Sequence, residues 1–170
     1  MLSKKMQEAL NSQINAEYYS SYLYLSMAAY CERIDLKGFG HWFRIQSQEE
    51  MVHVMKFFEY VLDRDGEVSL TAIEGPPTHW DSPLAVFEAA LAHEQHITGR
   101  IGKLVDLAMS ESDHATNALL QWFLNEQVEE EASVNVIVKQ LKLAGDAPAA
   151  LFMIDRELGQ RVLAATGAGA

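Results

Sequence analysis

The chain has 170 residues, 49% of them hydrophobic and 22% charged, with four prolines. That balance suits one domain with a core large enough to need neither disulfides nor a structural metal, and an Ala-, Leu-, Glu-, Gln- and Met-rich mixture favours helix. A formal net charge of −11 argues against nucleic acid or an anionic membrane as partner and favours cations, while the single cysteine, Cys31, excludes internal disulfides and any Cys-x-x-Cys metal site.

Met1, Leu2, Ser3, Lys4 and Lys5 lead directly into Gln and Glu, without an apolar run of signal-peptide length. No stretch reaches the roughly 20 apolar residues of a membrane span, so a cytoplasmic protein is expected. Ser3 is a candidate N-cap for a first helix running to Arg33, within which Cys31 reads as a small apolar filler near Met27, Ala28 and Ile34. Residues 35–38 form a short turn, and a second helix runs from Gly38 to Arg64. Residues 65–81 contain Gly66, Gly75, Pro76 and Pro77 and cannot all be helical. Ser82 and Pro83 are an N-cap and N1 pair for a third helix ending near Ser110. A fourth helix restarts at Ser112 and Asp113 and runs to Ala144. Gly145 closes it, and Pro148 opens a short fifth helix to Arg161. Residues 1–161 are expected to form one domain and residues 162–170 a flexible Ala/Gly-rich tail.

Loop lengths predict the topology. Short first and third connections force antiparallel neighbours, and the long second connection lets the third helix start at the same end as the second. That is an all-α four-helix bundle with one long crossover.

Following each apolar stripe at helical spacing exposes the functional signal. The first helix reads Leu10, Ile14, Glu17, Ser21, Tyr24, Ala28. The second reads Phe39, Phe43, Gln46, Glu50, His53, Phe57, Tyr60. The third reads Phe87, Leu91, Glu94, Ile97, Ile101, Leu104, and the fourth Leu120, Phe123, Gln127, Glu130, Val134, Ile137, Leu141. Each inward face is interrupted by ligand-type residues about a dozen positions from its helix start, roughly 18–20 Å along the axis at 1.5 Å per residue. The interruptions therefore fall in one layer. A buried carboxylate costs several kcal/mol unless compensated. Glu17, Glu50, Glu94 and Glu130 together exceed what His53 can neutralise, whereas two divalent cations would balance four carboxylates. Carboxylates with imidazole and no thiolate suit iron or manganese rather than closed structural zinc, and Glu50 with His53 is a Glu-x-x-His pair on one helix face.

Residues 17–24 (EYYSSYLY), 49–53 (EEMVH) and 122–131 (WFLNEQVEEE) resemble prokaryotic non-haem ferritins, and the resemblance covers 1–161. It implies a ferritin-like bundle and two adjacent iron sites, Glu17 and His53 holding the first, Glu94 and Glu130 the second, with Glu50 bridging and Gln127 as ligand or hydrogen-bond partner. It implies a nearby third iron site, matched by Glu49, Glu126 and Glu129 with Glu130 shared. Tyr24 and Trp122 match aromatic residues that supply electrons or orient ligands; for Tyr24, a core tyrosine bonded to a ligand Glu is an equal alternative. The implied activity is a ferroxidase: Fe(II) is oxidised by O2 or peroxide and the product mineralises as ferric oxide inside a hollow shell of 24 subunits, with the fifth helix lining four-fold channels.

Related families separate on residues. The fourth helix has no second Glu-x-x-His, so haem is not expected, and Met51, at the position of a haem-ligating methionine, reads better as a packing residue at a subunit contact. Asp113 and His114, near three-fold pores in this family, read as an N-cap and its exposed neighbour. His41, His79, His93 and His96 read as surface or interface residues. Gly99 and Gly102 inside the third helix suggest close helix packing.

Overall fold

The computed structural model describes residues 1–163 as five helices in the order α1 (Lys4–Arg33), α2 (Lys37–Asp63), α3 (Pro83–Ser110), α4 (His114–Ala144) and α5 (Pro148–Leu158). Three starts carry the expected caps. The Ser3 hydroxyl accepts from the Met6 N–H at 3.0 Å, Ser82 accepts from Ala85 with Pro83 at the first turn, and Asp113 accepts from Thr116. Each leaves one fewer orphan amide at a helix N-terminus. Gly145, with φ of 53°, closes α4 in the left-handed region that glycine enters without penalty.

Two helices differ from expectation at their ends. The second helix begins one residue earlier, at Lys37, and ends one earlier, at Asp63. The fifth stops at Leu158, three residues short of Arg161, because Arg161 is drawn out of the helix to pair with Glu49 and lie over Trp42. Of the expected tail, residues 164–170 lie outside the described residues.

Side-chain ties fix the directions. Ser3 at the start of α1 bonds Glu111 at the end of α3. Arg64 at the end of α2 pairs with Asp113 at the start of α4 at 3.2 Å. The connection 64–82 climbs α1 from one end to the other: Asn11 donates to the Glu67 carbonyl, Asn15 to Thr71 and Ala72, Ser26 to Pro77 and Arg33 to Thr78. The third helix thus starts where the second does, as its length predicts. Gly38 lets α5 cross the start of α2 at van der Waals distance, since a Cβ there would fall 1.7 Å from the Asp155 carbonyl oxygen. The Asp155 carboxylate accepts the Phe39 amide at the same place.

The apolar core is in two parts. One joins Leu23–Cys31 of α1 with Phe39, Phe43, Phe87, Ala90, Val134, Ile137 and Leu141 and reaches α5. The other joins Met6, Leu10 and Ile14 with Val54, Phe57, Val61, Ile97, Ile101, Leu120 and Phe123. Cys31 is fully buried in the first, as a filler. Met51 packs on the second as a partly buried side chain. Between them lies a buried polar layer.

Gly99 and Gly102 do not serve close packing within this chain. No atom lies within 4 Å of where their Cβ atoms would be, because both sit off the buried stripe carried by Ile97, Ile101 and Leu104.

Candidate metal centre

The layer contains Glu17, Glu50, His53, Glu94, Gln127 and Glu130, every one buried, with Glu130 the most accessible at 8%. Glu17, Glu50 and His53 each bring one ligand atom within 4.8 Å of the others. His53 follows Glu50 by one helical turn, so its Nδ1 sits 3.3 Å from a Glu50 oxygen. Its ring is held edge-on by Trp122 at 5.6 Å and Phe123 at 5.8 Å between centroids, which fixes the imidazole plane from α4.

Amides orient the carboxylates. Gln13 donates to Glu17 at 2.7 Å and Gln46 to Glu130 at 2.6 Å, with Glu50 3.5 Å from the same Gln46 nitrogen. Gln127 donates to both the side chain and the main-chain carbonyl of Glu94 at 3.2 Å, so its amide nitrogen acts as a hydrogen-bond donor to a neighbouring ligand-type group. Tyr24 donates its hydroxyl to Glu94, the alternative in which the phenol braces a carboxylate. Thr98 approaches Gln127 at 3.3 Å and donates to Glu131 at 2.6 Å.

The electrostatics are those of a site short of positive charge. Burial, then the charge on Glu50, pushes Glu17 up to about 8. Burial, then Glu94, pushes Glu130 up to about 7. Burial also raises Glu94 and holds Glu50 well above the usual carboxylate range, where Glu94 and Glu130 add their repulsion. Without a cation this layer retains protons; divalent ions would replace them. The Glu17 Oε2 atom is buried and met by no amide or hydroxyl donor; in the metal-free layer Glu17 shares a proton with the Glu50 carboxyl, and a metal bond would take that proton's place.

Residues expected at a third site lie beside this layer. Glu126 is partly buried and its carboxyl is raised, first by burial, with Glu129 and Glu49 adding negative charge and His53 and Lys56 opposing. Glu129 is exposed. Glu49 is paired with Arg161 at 2.5 Å. Trp122 is half-buried, with the Lys56 ammonium 4.2 Å over its ring.

The other residues marked in the sequence take structural roles. Asp113 caps α4 and its carboxyl is held below its ordinary range, with Thr116 and Arg64 outweighing burial; His114 is exposed. His41 bonds the Arg161 carbonyl, His79 lies beside Arg33 and His93 contacts Ser20 at 2.7 Å. His96 is exposed with its ring 6.4 Å from that of His93.

Sequence reasoning did not single out Gln13, Gln46 or Arg100 as parts of the site. Gln13 and Gln46 each stand four residues before a layer carboxylate, Glu17 and Glu50, and this repeated Gln-x-x-x-Glu spacing on two helices was the available signal.

A family model for the ferritin-like domain matches residues 7–144. A bacterial non-heme ferritin of Bacteroides fragilis is 48% identical over 161 residues, 95% of this chain and 100% of that one. One from Staphylococcus aureus is 40% identical over 95% of this chain and 97% of its own. The open-pore ferritin of the archaeon Archaeoglobus fulgidus superposes with a TM-score of 0.95 at 55% identity, covering 95% of this chain and 100% of that one. With its bundle, crossover and buried carboxylate layer accounted for, the chain belongs to the ferritin family.

Proposed function

We propose that this chain stores iron, taking up Fe(II) and oxidising it at the layer between the two core halves before it mineralises. Glu17 and His53 would hold one Fe(II), Glu94 and Glu130 a second, with Glu50 between them. The observation that carries this reading is the approach of Glu17, Glu50 and His53 to within 4.8 Å of one another in a site with less than a tenth of each side chain exposed.

Fe(II) here is the substrate. Two ions carry four positive charges into a layer of four carboxyl groups, so binding displaces the protons those groups retain. Each ion then gives up one electron. With O2 as oxidant, two electrons and two protons yield one H2O2; with peroxide, the same two electrons and two protons yield two molecules of water. Gln13, Gln46, Gln127 and Tyr24 hold the carboxylates in place through the change in metal charge, and the apolar halves above and below restrict water. The ferric product would hydrolyse and accumulate inside a hollow homo-oligomer, for which the family supplies the precedent and 24 subunits the expected number. The acidic chain would make such a shell attractive to cations.

Aerobic Fe(II) oxidation followed by stopped-flow absorbance tests this. Glu17→Ala and His53→Ala are expected to slow the first turnover by at least about 100-fold, on the order of 3 kcal/mol of barrier, while the oligomer persists in gel filtration. Unchanged rates in both would remove the site. Wild-type protein that takes up iron but oxidises it no faster than buffer would leave a storage cage without the enzyme.

A further inference from the structure

Arg100, on α3, reaches across to α1 and donates from Nε to Gln13 Oε1 at 3.0 Å and from a terminal nitrogen to the carbonyl and hydroxyl oxygens of Ser12, both at 3.0 Å. A guanidinium has donors only, so the Gln13 atom facing it must be the carbonyl oxygen. That places the Gln13 NH2 group on the opposite side, 2.7 Å from Glu17 Oε1. Gln13 is 1% exposed, and its amide is held by protein partners on both sides. The same contact leaves Glu17 Oε2 as the oxygen of that carboxylate that no amide or hydroxyl meets, on a side chain whose other polar neighbour is the Glu50 carboxyl.

From this geometry we infer that Arg100 and Gln13 are positioning residues: Arg100 sets which way the Gln13 amide faces, Gln13 occupies one oxygen of Glu17, and Glu17 is thereby presented to a metal through Oε2 alone. The inference rests on Glu17 being a metal ligand, as proposed above. It adds that coordination at Glu17 is set from outside the layer, since Arg100 lines a cleft of about 520 Å³ on the surface between α1 and α3, together with Lys5, His96 and Lys103. Two consequences separate this role from general support of the fold. Losing the Gln13 donor frees both oxygens of Glu17, so the carboxylate turns and chelates. Losing Arg100 lets the amide rotate, which weakens the site less.

The test uses the assembled full-length protein, with Zn(II) as a probe that undergoes no oxidation. Zn(II) affinity is measured by calorimetry for wild type, Gln13→Leu, Arg100→Met and Arg100→Lys, alongside crystal structures with and without Zn(II). Gln13→Leu is expected to weaken binding about tenfold, the lower end for loss of an outer partner of a metal ligand, and to show Glu17 binding through both oxygens. Arg100→Met is expected to weaken it about threefold on the same grounds, with Arg100→Lys recovering part of the loss because an ammonium can still donate to Gln13. Gln13→Leu protein with wild-type affinity and Glu17 still bound through one oxygen would overturn the inference. Metal-free crystals keep the two readings separate. Wild-type Zn(II) binding tests the site, whereas a turned Glu17 side chain in metal-free Gln13→Leu supports the strut and an unmoved one overturns it.

Discussion

Tyr24 on α1 donates its hydroxyl to Glu94 on α3 from a fully buried position. Its ring stacks on Phe43 at 6.0 Å between centroids, so Phe would fill the same space. Burial, followed by the charges on Glu94 and Glu50, holds the phenol well above its ordinary range, and the hydroxyl stays protonated and able to donate. Tyr24→Phe removes one donor from Glu94 but leaves the Gln127 amide. Denaturant unfolding of the metal-free protein should show a loss of about 1–2 kcal/mol. Fe(II) oxidation should slow by less than about tenfold, the factor set by ~1.4 kcal/mol. A loss as large as that expected for His53→Ala would instead favour an electron-donating role for the ring.

The carboxyl layer makes a signed prediction for pH. Glu17 and Glu130 are raised in the folded protein to about 8 and about 7 from 4.5. Between pH 6.5 and 8.5 the unfolded chain has already lost these protons, and the folded chain loses them only across that interval. The folded state therefore binds more protons, and stability must fall as pH rises. His93, lowered to about 4 from 6.5 by burial and His96, opposes this slope only at the acid edge of the window, where its unfolded form still titrates, and the two raised carboxyls outweigh it. The lowered Asp113 acts only at still more acid pH. Melting temperatures in EDTA should drop from pH 6.5 to 8.5, and saturating Zn(II) should abolish or reverse the trend, because the metal replaces the protons. A metal-free protein that grows more stable over this interval would contradict the protonated layer.

How much of this was legible in the sequence depends on which residues carry information locally. Glu17, Glu50, Glu94 and Glu130 stood out because each breaks an apolar stripe at a period set by helix geometry, and the short connections read at 35–38 and just after Ser110 indicated which helices neighbour one another. The crossover followed from length. Gln13 did not stand out, since an amide on an inward face is ordinary and its meaning depends on Arg100, 87 positions away. Arg161 was equally opaque: nothing near it in sequence says that it leaves the helix to meet Glu49. Gly99 and Gly102 misled because a helix-interior glycine implies packing only when something packs there, and contacts of that kind are not written in one helix.

Gly99 offers a test of what this face meets. It lies inside α3, and a Cβ would meet nothing within 4 Å. Gly99→Ala should therefore gain helix propensity, about 1 kcal/mol, without a steric cost. The expected result is a higher melting temperature with unchanged oligomer size. A destabilised or dissociated oligomer would mean that another subunit comes against α3 at this point, and would give the glycine the packing role the single chain does not.

Arg161 and Glu49 make the last prediction. The guanidinium pairs with Glu49 at 2.5 Å and lies 4.2 Å over the Trp42 ring, and His41 holds the Arg161 carbonyl at 2.7 Å. Glu49 is one of the residues proposed for a third iron site with Glu126, Glu129 and Glu130, so a cation there competes with Arg161 for the same carboxylate. Arg161→Met keeps apolar contact with Trp42 and removes the competitor. The ion pair is partly exposed, and pairs of that kind are worth about 1 kcal/mol at most, so the third metal ion should bind up to roughly fivefold more tightly. The first two should be unaffected, since Arg161 does not touch Glu17, His53 or Glu94. Zn(II) titration with counting of bound ions per chain distinguishes the cases, and Glu49→Gln supplies the opposite sign by weakening the third ion alone. If neither substitution changes the third ion, Glu49 is not among its ligands and its pairing with Arg161 anchors the chain that follows α5.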